Sequence, residues 1–200
     1  MKHAAVICAI VALGLLPSKA SAETAPAKAF HEQQQAKRQE HRDQQRQENQ
    51  TFRKSLKDAD AGQKAAALQA HRETQFQKNK AFHARMHQEN MEFLKGRLAN
   101  NKKLTDAQKN ELIAHFESQY QENESFRDQR HTDNVAFFEQ IANDANMTQD
   151  QKKAAIKAHF DEQKANTKAH VQQQKEENKA ERQKIHSEVT AKPKAPAATQ

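Results

Sequence analysis

The sequence predicts an all-α protein: long antiparallel helices in an up-down bundle or hairpin array, built from 44-residue repeats. Three observations carry this expectation. No proline lies between Ala27 and Lys192, only Gly62 and Gly96 interrupt that span, and the strong helix formers Ala, Gln, Lys, Glu and Arg dominate it. The chain also aligns with itself: Ala114-His115-Phe116-Glu117-Ser118-Gln119 recurs as Ala158-His159-Phe160-Asp161-Glu162-Gln163, and upstream as Ala70-His71-Arg72-Glu73-Thr74-Gln75, each at an offset of 44. Finally, turn residues collect only at the repeat junctions.

From the N-terminus, Lys2 and His3 precede an apolar run from Ala4 to Leu16, and Pro17, Ser18 and Lys19 lead to Ala20-Ser21-Ala22. That pattern predicts a secretory signal peptide over residues 1–22. Its apolar stretch of about 13 residues is short of the roughly 20 a spanning helix needs, so no transmembrane segment is expected in the mature chain. Residues 23–188 form the expected helical repeat domain. From Val189 the prolines Pro193 and Pro196 among alanines and lysines predict a disordered tail, 189–200.

Within the repeat domain, helices are expected over about 28–60, 63–99, 106–142 and 149–187. The junctions read Asp58-Ala59-Asp60-Ala61-Gly62, Asn100-Asn101-Lys102-Lys103-Leu104 and Asn143-Asp144-Ala145-Asn146-Met147. Asn and Gly tolerate the left-handed backbone that ends many helices. After the last two junctions, Thr105 with Gln108 and Thr148 with Gln151 have capping-box spacing, in which hydroxyl and amide satisfy each other's backbone N–H groups. A second repeated marker, acid-Asn-x-x-Phe, occurs at Glu48-Asn49 with Phe52, Glu89-Asn90 with Phe93 and Asp133-Asn134 with Phe137; at Glu177-Asn178 the Phe becomes Glu181.

Heptad spacing draws a seam through Leu68, Arg72, Gln75, Asn79, Phe82, Met86, Glu89 and Phe93, and through Leu112, Phe116, Gln119, Asn123, Phe126, Arg130, Asp133 and Phe137. The seam is interrupted by polar residues, and each helix offers few large apolar side chains. Phe82, Met86, Phe93, Phe126, Phe137 and Phe138 therefore have two readings: bundle core, or a partly exposed surface that contacts client proteins. So small an apolar area offsets little of the entropy of ordering the chain, which points to a marginal monomer or a homodimer sharing its core.

Composition narrows the function classes. The single cysteine, Cys8, lies in the segment expected to be removed, which excludes disulfides and thiolate chemistry from the mature chain. The formal charge of +7 falls to +5 without Lys2 and Lys19, and its sources are interleaved with acids rather than gathered with stacking aromatics, so no nucleic acid is expected as a partner. There is no glycine-rich phosphate loop, nucleophile elbow or Cys–His pair, and a non-enzymatic protein is expected.

His83 and His87 stand four apart, the spacing of a two-histidine metal clip for zinc or copper, with His131 as a conceivable third ligand. The repeated His71, His115 and His159 read as packing or hydrogen-bonding residues flanking the seam.

Leu104-Thr105-Asp106-Ala107-Gln108 resembles the L-T-x-x-Q motif of the Spy/CpxP group of periplasmic proteins, and Met147-Thr148-Gln149-Asp150-Gln151 resembles a second copy with Met for Leu. The resemblance covers two junctions and the general character of the chain; the 44-residue array and near-equal long helices depart from the family pattern. It implies an exported, periplasmic, dimeric helical protein that binds unfolded envelope proteins without ATP, as a chaperone or envelope-stress factor, some relatives of which bind zinc. A periplasmic zinc- or copper-binding protein and a structural coiled-coil scaffold are the alternatives.

Overall fold

Runs whose one proline, Pro26, falls in the first turn of a helix fold as helices in the computed structural model, which describes residues 25–191. Four follow one another: α1 (Ala25–Ser55), α2 (Ala61–Ala99), α3 (Asp106–Asn143) and α4 (Gln149–Ala191), with no strand among the described residues. At 39 residues, α2 is roughly 58 Å long. Close backbone packing joins α1 to α2, α2 to α3 and α3 to α4 only. Contacts pair rising numbers on one helix with falling numbers on the next, as in Phe30 with Phe93, His41 with Phe82 and Phe52 with His71, so successive helices run antiparallel. The expected signal peptide and residues 192–200 of the expected tail lie outside the described residues.

The junctions behave as expected in part. Gln108 N donates to Thr105 Oγ1 at 3.3 Å while Thr105 N donates to Gln108 Oε1 at 3.0 Å. Thr148 and Gln151 repeat the exchange at 3.3 and 2.7 Å. The first junction holds a third capping box, Asp60 with Gln63, in which a carboxylate does the work of the hydroxyl. Using Asp60 as a cap stops α1 earlier than expected, at Ser55 rather than 60. The left-handed helix ends are corrected too: no described non-glycine or glycine residue has positive φ. Side chains close the turns instead, with Asn100 Nδ2 donating to the Gly96 carbonyl at 3.0 Å, and Asn101 and Asp144 accepting from the backbone two residues on at 2.9 and 2.8 Å. At the far end α4 continues to Ala191, so Val189 is helix rather than tail, and it packs on the core.

The seams follow a different period from the expected heptad. Along α4 the residues turned toward α3 fall in columns 11 apart: Gln163, Gln174 and Ile185; Thr167, Asn178 and Val189; His159, His170 and Glu181. This is a 3-4-4 step, about 3.67 residues per turn, closer than the heptad's 3.5 to the relaxed helix. Two side chains that a heptad puts in the seam, Arg72 and Asp133, are consequently exposed, and the neighbouring His71 and Asn134 take their places.

Apolar burial concentrates at one end. Met91, Leu94, Leu98, Leu104, Leu112 and Ile185 form the core cluster, joined by Ile113, Phe116 and Val189. Leu104 is anchored there directly before the threonine cap, Thr105. Gln34 and Asn90 are buried beside it, and farther along the array Gln119, Asn123, Gln163, Thr167 and Gln174 outnumber the buried apolar Phe82, Met86 and Ile141.

Candidate functional site

Those buried amides belong to a recurring cross-helix arrangement that also explains the histidines. In an α-helix, residues three apart lie one above the other on the same face. An Asn and the Phe three residues after it thus present an amide oxygen and a ring side by side. A histidine from the facing helix fits both, its ring stacked on the Phe and its Nε2–H donated to the Asn oxygen.

Four such units are complete. His41 donates to Asn79 at 2.8 Å and stacks on Phe82 with ring centres 4.0 Å apart. His71 meets Asn49 at 2.7 Å and Phe52 at 3.9 Å. Across α3 and α4, His159 meets Asn134 at 2.7 Å and Phe137 at 3.9 Å, and His170 meets Asn123 at 3.1 Å and Phe126 at 4.1 Å. Burial lowers the pKa of His170, which suits the neutral ring that stacking on Phe126 favours.

Two units are incomplete, and each leaves a buried polar atom without a partner. Phe30 stands where the histidine belongs opposite Asn90 and Phe93; it stacks on Phe93 at 4.0 Å but has no N–H to offer, and Asn90 Oδ1 is orphaned. At the other end of the chain His115 donates to Asn178 at 3.0 Å, but Glu181 replaces the ring, and Glu181 Oε1 is orphaned. Both atoms are left bare by the loss of one member of the unit.

Between α2 and α3 the same geometry uses a carboxylate in place of the amide. His87 stacks on Tyr120 at 3.8 Å and bonds Glu117 at 2.9 Å; His131 stacks on Phe76 at 3.7 Å and bonds Glu73 at 2.8 Å. The His87 hydrogen bond holds the Glu117 carboxyl below its usual range. For Glu73, Gln77 and then His131 do so. His83 lies on the same helix, half-buried against the edge of Phe82, and burial, with help from Arg127 and His41, pushes its pKa down to about 4.

The residues singled out from the sequence thus divide. Thr105, Gln108, Thr148 and Gln151 form the reciprocal caps, with Leu104 buried and Met147 half-buried. Phe82 and Met86 are 6% and 5% exposed and lie in the core. Phe93, Phe126 and Phe137 are half-buried in the stacks, and the Arg72 guanidinium covers Phe138 at 4.0 Å from the ring centre. His83 and His87 do not converge on a third ligand: His87 is bound to Glu117, His131 serves another level of the seam, and among the described residues no three His, Cys, Asp or Glu gather as a metal site. Sequence reasoning missed the pairing of His with Asn-x-x-Phe, although both halves were visible as separate repeated markers.

Compared with protein-family models, curated proteins and solved structures, the chain matches none.

Proposed function

We propose that this chain is an exported, ATP-independent binding protein for unfolded polypeptide segments, acting in the periplasm as a chaperone or envelope-stress factor. One observation carries the reading: aromatic side chains are held half-buried in seams that are otherwise polar, so an unfolded client can compete for them at low cost. Phe93, Phe126 and Phe137 each stack on a single neighbouring ring across a seam, while Phe160 is 43% exposed beside Phe138. Between α1 and α2 a shallow groove lined by Glu48, Phe52, His71 and Lys78 gives access to another such stack. Interleaved charges on the outer faces keep a client complex soluble. The L-T-x-x-Q resemblance at Leu104–Gln108 supports the same reading.

We read the helices as an up-down array of duplicated 44-residue units. Since 44 is four periods of 11, duplication preserves the face each residue presents. A homodimer fits the scarcity of apolar burial.

The test is suppression of aggregation of a denatured protein without nucleotide, with mass in solution measured alongside. Suppression at near-equimolar dose, weakened by Phe160→Ser with Phe138→Ser, is expected. Indifference at that dose overturns the reading and leaves a spacer or scaffold role, for which helices of this length are suited.

A further inference from the structure

Because α4 packs only on α3, its far side is an open edge, and that edge carries lysines in register. Lys153, Lys164 and Lys175 form one column 11 apart, Lys157, Lys168 and Lys179 a second, and all six are exposed. At 3.67 residues per turn both columns run parallel to the seam and only about 30° of arc apart. Together they make a line of ammonium groups roughly 39 Å long. No acid falls in either column. Lys153 and Lys157 pair with Asp150 and Asp161 at 3.1 and 2.9 Å, whereas Lys164, Lys168, Lys175 and Lys179 have no ion-pair or hydrogen-bond partner among the described residues.

The position of this line sets it apart from ordinary solvated charge. Tyr120 and His131, which α3 buries against α2, stand 44 residues before Lys164 and Lys175. The face used inside the array for stacking is thus converted at its edge into cations, which blocks the addition of another helix and leaves uncompensated positive charge.

We propose that this edge of α4 binds a flexible linear polyanion laid along the helix. Lysine is a compact charge without the fork by which arginine reads a phosphate or carboxylate, so an all-lysine line responds to charge density rather than to the shape of one group. A bilayer surface is the weaker fit, since membrane-surface helices also bury apolar area. Here Ile185 and Val189 are turned into the seam, and the columns flanking the lysines hold only Phe160 and Val171 as apolar side chains, alongside Arg182 on that side and Asp161, Gln172 and Gln183 on the other.

Long-chain polyphosphate titrated into the full chain at several salt concentrations tests this. The wild type is expected to bind with steep salt dependence. Replacing Lys164, Lys168, Lys175 and Lys179 together by Gln should weaken binding at least about tenfold and lower the slope of log K against log salt by about 3, at some 0.7 per lost contact. A control of equal net charge, with Lys54, Lys57, Lys102 and Lys103 changed to Gln, should stay within about twofold, with circular dichroism checking that both variants remain helical. No binding by the wild type at low salt, or equal losses in both variants, overturns the proposal. Binding to anionic vesicles but not to polyphosphate overturns it in favour of a membrane. None of these outcomes bears on capture of unfolded clients, which is read by a separate assay.

Discussion

The outer seams, α1 with α2 and α3 with α4, and the central seam, α2 with α3, place histidine against an aromatic ring in the same way but differ in the atom that accepts its proton. In the outer seams the acceptor is the neutral amide of Asn49, Asn79, Asn123 or Asn134; in the central seam it is the carboxylate of Glu73 or Glu117. An amide acceptor can be buried, as Asn123 is at 3% exposure, because no charge has to leave water. Carboxylate acceptors stay near the surface, with Glu73 and Glu117 about half exposed. One packing geometry therefore admits a buried neutral acceptor, as at Asn123, in the first case and a charged acceptor kept at the surface in the second.

Breaking an outer seam should have the largest effect. Asn123 accepts from His170 and donates to the Gln174 side chain and the Gln119 carbonyl, so Asn123→Ala strands the buried Gln174 oxygen and the half-buried His170 N–H, while the Gln119 carbonyl keeps the Gln174 amide. A loss of about 3 kcal/mol in urea unfolding is expected, and a loss below about 1 would mean that water replaces the amide.

Acid should act next, through the central helices. The folded-state pKa of His83, about 4, lies below the value of 6.5 it has when exposed. Below pH 6.5 the unfolded chain therefore takes up a proton that the folded chain resists. Stability is whole above that pH and falls as pH drops toward 4, by about 2 kcal/mol between pH 7 and pH 5. His83→Gln should flatten the unfolding midpoint over that range, which lies above the carboxylate titrations.

Completing an imperfect outer unit should stabilise the fold. Phe30→His keeps a ring over Phe93 and offers Asn90 Oδ1 the missing donor, for a gain of about 1 kcal/mol at pH 7 or above. A lower melting temperature would show that the other complete units owe their strength to something besides this hydrogen bond. The smallest effect is expected from giving the central seam an amide. Glu117→Gln leaves His87 an acceptor and removes only an exposed charge, so stability at pH 7 should move by less than about 0.5 kcal/mol. Since the Glu117 carboxyl is held low, its contribution is present above pH 4.5 and lost as pH falls through its folded value, and this acid limb is what the variant should lack.

Much of the backbone was legible because helix ends are local chemistry. Thr105 with Gln108 and Thr148 with Gln151 marked the starts of α3 and α4 to the residue. Asp60 with Gln63 carries the same logic but was hidden by the expectation of a hydroxyl, and with it the early end of α1. The seam was less legible because heptad and 11-residue periods agree over short stretches: both select Gln75, Asn79, Phe82 and Met86, and they part only at His71 against Arg72 and at Asn90 against Glu89. The histidine units were hardest, since their members lie on different helices. Sequence spacing shows that Asn134 and Phe137 share a face; only the docked hairpin brings His159 to it.

The rungs of each outer hairpin are nested. His71 and Asn49 are 22 residues apart, His41 and Asn79 38; across the other hairpin the separations are 25, 47 and 63. Closing the innermost rung meets most of the loop entropy, and each later rung adds only the ordering of about 8 to 11 more residues on each helix of the hairpin. Such a chain can zip from its turns outward, with low contact order and a short folding time even where the apolar core is thin. A polypeptide released one end first would meet the partner of each new segment in the stretch that had just preceded it.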